Sequence, residues 1–121
     1  MKNLLVLTLF VLLLVGCSTP IAYKETRPSS PREDASTQLT QEGRQLLQAG
    51  NYDNAIRLFE QAVGLNPDNG PCYYYLAQAW LKKRVFSEAR EFNSLAQIYL
   101  KDDKDWLIRL ERQANQISEL E

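Results

Sequence analysis

No histidine occurs anywhere in the 121 residues. That single absence removes the commonest general base and the commonest metal ligand. Cysteine is almost as scarce: Cys17 and Cys72 are the two, too few for a thiolate metal cluster, and without a histidine beside either one the usual catalytic pair cannot form. A glycine-rich phosphate loop is missing. A basic excess is missing too, since the formal net charge is −1, and with it the electrostatic footprint that nucleic acid requires. Carboxylates are plentiful, but Glu88, Glu91, Asp102 and Asp103 form the one dense acidic group. A carboxylate pair can cleave glycan; these four suit helix surface and capping positions better. The sequence therefore predicts a protein that is not an enzyme and holds no cofactor or metal.

What is present begins at the amino terminus. Lys2 is followed by an apolar run from Leu4 to Val15, broken only by Thr8. Twelve residues fall short of the roughly 20 that span a bilayer as a helix, and their length suits the apolar region of an export signal. The run ends in Leu14-Val15-Gly16-Cys17. This resembles the bacterial lipobox, and the resemblance implies removal of residues 1–16 and diacylation of Cys17. Two acyl chains hold a protein stably on a membrane where one does not. In Gram-negative lipoproteins an aspartate after the cysteine favours retention in the inner membrane; Ser18 stands there instead, which points to the outer membrane if the source has one.

Residues 17–35 change character. Pro20, Pro28 and Pro31 are three of the five prolines in the chain, and no hydrophobic period is visible, so the segment is expected to be a flexible tether. Ile21 and Tyr23 are read as chance apolar residues within it.

From Ser36 the apolar residues recur at three and four, the helical spacing. Leu39, Gly43, Leu46 and Leu47 share one face, and Gly50-Asn51 breaks that helix. Ala55, Ile56, Phe59, Ala62 and Val63 stripe a second, ended by Asn66-Pro67-Asp68 because proline cannot continue a helix. Tyr73, Leu76, Ala77 and Trp80 stripe a third; Phe86, Ala89, Leu95, Ala96 and Tyr99 a fourth. Asp102 and Asp103 can cap a fifth, carrying Trp106, Leu107, Leu110, Ala114 and Ile117. The expected fold is all-α.

A shift of 34 residues lays small residues on small ones: Gly43 on Ala77, Ala55 on Ala89, Ala62 on Ala96, with Tyr52 on Phe86 and Leu47 on Leu81. Antiparallel helices approach closely where a small residue sits at the crossing. With these residues and this period, 36–69 resembles one tetratricopeptide repeat: Gly43 in helix A, Gly50 and Tyr52 at the turn, Ala55, Phe59 and Ala62 in helix B, Pro67 at the close. Residues 70–103 resemble a second, through Tyr73, Leu76, Ala77, Trp80, Ala89 and Ala96. It departs from the pattern at Arg84 for the turn glycine, Asn93 for the helix B aromatic and Lys101 for the proline. Residues 104–121 resemble the capping helix that closes such arrays. The resemblance implies a short α-solenoid.

It also implies a function. Such arrays bind protein segments on a concave face lined by the A helices. Carried over by position, the lining is Thr40, Arg44, Leu47 and Gln48, then Tyr74, Gln78, Leu81 and Lys82, joined from the cap helix by Ile108 and Arg112. Spacing agrees, since Tyr74, Gln78, Leu81 and Lys82 stand at i, i+4, i+7 and i+8. The mixture of apolar and cationic side chains suits an extended or helical peptide with apolar side chains and some negative charge. The lysine-and-asparagine clamp that some family members use for a terminal carboxylate is not present. The expectation is an envelope adaptor, anchored to the membrane through Cys17, whose partner is another envelope protein. The alternative is a homo-oligomeric structural lipoprotein, stacked end to end through Trp106 and the apolar side of the last helix; packing of Trp106 on the second repeat is preferred. Cys72 could pair with another chain or lie buried as a small apolar residue, and the buried reading is preferred.

Overall fold

A computed structural model describes residues 27–121, so the expected export signal, Cys17 and the first part of the expected tether lie outside the described residues. Five helices follow one another: α1 (Pro31–Gln48), α2 (Tyr52–Leu65), α3 (Gly70–Lys82), α4 (Phe86–Tyr99) and α5 (Lys104–Leu120). α1 starts five residues before the expected Ser36. The reason is local. Ser30 accepts a hydrogen bond from the Glu33 amide, and the Glu33 carboxylate accepts one of 2.7 Å from the Ser30 amide. This reciprocal cap, with Pro31 preset for the first helical position, starts a helix where the tether was expected to continue. The Ser30 backbone hydrogen bond, aided by Arg27, also lowers the Glu33 pKa from its ordinary value.

The other boundaries follow the 34-residue period. Gly50 turns the chain from α1 into α2 at φ 79°, and Arg84 does the same between α3 and α4 at φ 62°. Asn69 caps α3 by accepting from the Cys72 amide, and Asp103 caps α5 by accepting from the Asp105 and Trp106 amides. α2 stops at Asn66, in front of Pro67, where the residue preceding proline is pushed out of the helical region.

Each helix packs on the next, and α3 also touches both α1 and α5. This sets α1, α3 and α5 in one layer and α2 and α4 in the other, a two-layer all-α solenoid. The seam between the layers is lined with small residues: Ala55, Ala62, Ala77, Ala89 and Ala96 are fully buried. Gly43 is needed for a close approach, since a Cβ there would lie 2.5 Å from Cε1 of the buried Phe59. Gly70 plays the same part against α4, where a Cβ would meet Leu100 at 2.5 Å. The expected stripes form most of the core, with Phe59, Leu76, Leu110 and Ile117 its largest fully enclosed apolar side chains. Tyr99 departs from its stripe: it is partly exposed, although its ring stacks on Tyr73 at 5.4 Å.

Two polar clusters tie the layers together. Asn69 donates to the hydroxyls of Ser36 and Thr40, and Ser36 donates to the Ala62 carbonyl, so one cap side chain links α1, α2 and α3. Asn93, at the position of the helix B aromatic, is buried and donates to the Leu110 carbonyl and to Gln113 Oε1. Gln113 in turn donates to the Tyr74 carbonyl and to Gln78, fastening α5 to both α3 and α4. Polar groups survive at such depth because each has a partner.

Candidate functional site

Two clefts open beside α3. The first, about 230 Å³, lies between α1, the start of α3 and the start of α5, and is lined by Thr37, Thr40, Gln41, Arg44, Asn69, Pro71, Tyr75 and Trp106. The second, about 440 Å³, lies between the ends of α3 and α5, and is lined by Gln78, Leu81, Lys82, Arg84, Gln116, Glu119 and Leu120. Tyr75 borders one and Gln78 the other, three residues apart on the same helix, so the clefts adjoin along one face.

Two aromatic rings and a cation wall one side of the first cleft. The Arg44 guanidinium lies 4.8 Å above the Tyr75 ring. Tyr75 meets Trp106 edge to face at 6.2 Å, and the Arg109 guanidinium stands 5.0 Å from Trp106 on its own helix. Behind them Tyr74 contacts both Tyr75 and Trp106 edge to face, at 5.2 and 5.3 Å. Burial, reinforced by Tyr75, raises the Tyr74 pKa, with Arg109 and Arg112 pulling the other way. Trp106 therefore packs on the second repeat, as preferred.

The expected groove residues divide into three groups. Thr40 and Arg44 border the first cleft, and Gln78, Leu81 and Lys82 the second. Thr40 and Leu81 are largely buried: Thr40 donates to the Ser36 carbonyl and accepts from Asn69, while Leu81 packs beside Ala89 and Ile117. Leu47, Gln48, Tyr74, Ile108 and Arg112 border neither cleft. Tyr74 was expected to present its ring to the groove, but the bulk of Trp106 draws it into the contact between α3 and α5, and Tyr75 takes its place. Thr37, Gln41, Arg84 and Gln116 are among the lining residues that were missed. A signal for some of them existed. Gln41 and Tyr75 are related by the 34-residue period and stand at helical spacing from Arg44 and Gln78, and Gln116 is the third member of the series Gln48, Lys82, Gln116.

Charge is uneven around the site. Arg44, Lys82 and Arg84 line the clefts against one carboxylate, Glu119. Among the described residues the ion pairs are Arg27–Glu33, Lys83–Asp53 and Arg90–Glu121. The cations facing the clefts are thus in none of them, in a chain whose net charge is −1.

Cys72 is fully buried between α2 and α3, with its thiol 3.4 Å from the Phe59 carbonyl. Burial pushes its pKa up to about 12, so the thiol stays protonated and is a poor nucleophile. Asp103 is taken up as a helix cap and the Glu88 carboxylate bonds Ser87. No group of three histidine, cysteine or acidic side chains that could hold a metal ion occurs among the described residues, and no helix there is long and apolar enough to cross a membrane.

A comparison with protein families matches residues 46–113, from the last turn of α1 into α5, to the family described as tetratricopeptide repeat.

Proposed function

The chain belongs to the tetratricopeptide repeat family, a family of protein–protein interaction scaffolds that are typically non-catalytic, and from that premise we propose that it is a lipid-anchored adaptor of the bacterial envelope. Its client, another envelope protein, docks on the face formed by α1, α3 and α5. The observation that carries this reading is the convergence of both clefts on that one face, with cations that are in no ion pair among the described residues. The lipobox-like end at Cys17 supplies the anchor. Residues 18–30 would then separate the lipid from the first helix by at most ~45 Å, at about 3.3–3.6 Å per residue. Ser18 favours the outer membrane in a Gram-negative cell.

The self-associating alternative is less well supported, because exposed polar side chains stand at stacking positions on both ends of the solenoid. The outer side of α1 carries Gln38, Glu42 and Gln45, all exposed, at the repeat positions where α3 buries Cys72, Leu76 and Ala79. On α5, Glu111 is exposed where the earlier A helices place Gly43 and Ala77. A further helix stacked there would have to bury that carboxylate, which is costly unless the helix brings it a partner.

Photo-crosslinking in cells tests the reading, with probes at Gln41 and Lys82 and a control at Arg57, which is exposed on α2. One envelope protein caught from Gln41 and Lys82 but not from Arg57 is the expected result. Adducts of the chain with itself alone would replace the adaptor with the oligomer. In the same cells Cys17→Ala should move the protein out of the membrane fraction; persistence there would remove the anchor.

A further inference from the structure

The two clefts differ in chemistry, and the difference specifies what can lie across them. The first is lined by two aromatic rings, Tyr75 and Trp106, set edge to face, with the Arg44 guanidinium over the Tyr75 ring. Arg44 donates one hydrogen bond, to Gln41, and keeps its other guanidinium donors. The second offers an aliphatic floor, buried Leu81 beside the half-exposed Leu120, rimmed by Lys82 and Arg84. Arg84 is held there by a backbone turn with φ 62°, a conformation that side chains other than glycine, asparagine or aspartate seldom adopt. One end of the face thus suits an aromatic side chain and the other an aliphatic one, and at both stand cations that are in no ion pair among the described residues.

Spacing joins the two clefts into one site. Tyr75 and Lys82 are seven residues apart on α3, about 10 Å along a helix rising 1.5 Å per residue. An extended chain covers that distance in about three residues. From Pro71 to Lys82 the lined stretch runs about 16 Å, the length of about five extended residues.

We propose that the clefts are two subsites for a single extended acidic segment of about five residues, with an aromatic side chain at the Tyr75–Trp106 cleft, an aliphatic one about three positions away at the Leu81–Leu120 cleft, and carboxylates answering Arg44 and Lys82. Charge complementarity selects this occupant: the cleft cations outnumber Glu119, and they are outside every ion pair among the described residues. The proposal rests on the docking face assigned above and adds to it the sequence character of what docks.

Panning a phage-displayed random heptapeptide library on the full chain in detergent tests it, followed by fluorescence anisotropy with the enriched peptides. Enrichment of acidic peptides bearing an aromatic and an aliphatic residue about three apart is the expected result. Their affinity should fall about tenfold with Arg44→Glu and again with Lys82→Glu, both checked for an unchanged helical circular dichroism spectrum. It should also fall as salt is raised, because exposed charges are screened, and Arg57→Glu should leave it unchanged. Neutral or basic enriched peptides that still lose affinity in the two charge reversals would overturn the acidic bipartite segment and leave the docking face standing. Enriched peptides indifferent to both reversals, or no enrichment at all, would overturn the segment; a client still crosslinked from Gln41 and Lys82 would show that the docking face survives that failure.

Discussion

The two helical hairpins follow the same path with different interiors. In the first, α1 supplies Gly43 and α2 fills the space beside it with the ring of Phe59. In the second, α3 supplies Ala77 and α4 places Asn93 at the equivalent position, with Gln113 of α5 completing the contact where α3 had brought Ala79 to the first. The crossing at Gly43 and Phe59 is therefore apolar and held by shape. The other is polar and held by hydrogen bonds of 2.9 to 3.1 Å among Asn93, Gln113, Gln78 and two backbone carbonyls. The turns differ likewise, glycine in one and arginine in the other, both at a left-handed φ. The comparison teaches that the repeat preserves a backbone path and a filled crossing, and that volume can be exchanged for hydrogen bonding where the next helix supplies the partners.

The largest expected break is at the apolar crossing. Phe59→Ala should cost ~3–5 kcal/mol, the range for a fully buried aromatic truncated to alanine, read as a drop in the urea midpoint. Asn93→Ala should cost less, about 1–3 kcal/mol for the buried partners it orphans. Equal losses would mean that the polar crossing is held by packing after all.

The polar crossing is sharpened by pairing its members. Asn93→Leu alone strands the Gln113 carbonyl and should cost about 2 kcal/mol, while Asn93→Leu with Gln113→Leu should recover much of that loss, because a buried polar pair replaced jointly by apolar groups is often close to neutral. Additive losses in the double-mutant cycle would show that the two side chains act separately.

The Cys72 thiol, buried between α2 and α3, makes the fold sensitive to alkali. Its proton stays bound in the folded state up to about pH 12, whereas in the unfolded chain it leaves near the ordinary value of 9.0. The unfolded state then binds fewer protons, so stability falls as pH rises above 9, by up to about 1.4 kcal/mol per unit. Cys72→Ala should flatten that decline between pH 9 and 10, measured by urea titrations at each pH. An unchanged slope would place the alkaline sensitivity in the tyrosines.

The smallest effect is expected at the turns. Arg84→Gly should stabilise by about 0.5–1 kcal/mol, since glycine relieves the left-handed strain but gives back some unfolded-state entropy. Gly50→Ala should destabilise by about 1 kcal/mol. A loss of stability in Arg84→Gly would mean that the guanidinium, 5.4 Å from the Phe86 ring, contributes more than the strain costs.

Much of this could be read before any coordinates. Helical spacing and the 34-residue shift located the five helices and the small residues at their crossings, because helix formation and close approach depend on near neighbours and on a repeated period. The start of α1 was legible in Ser30-Pro31-Arg32-Glu33 as a capping box and was overlooked because the prolines before it suggested a tether. The side of α3 was harder. Tyr73, Tyr74 and Tyr75 are consecutive, so periodicity alone assigns them to faces about 100° apart without saying how far each ring is drawn into the core.

By itself, then, the sequence determined the helices, their order and the seam between layers, since all of these follow from composition and local period. Only the tertiary structure decided which aromatic faces the clefts, that Asn93 is satisfied by Gln113, and that Arg44 comes to rest on Tyr75. Those contacts join residues 20 or more positions apart in the chain, and they depend on how closely one helix can approach the next.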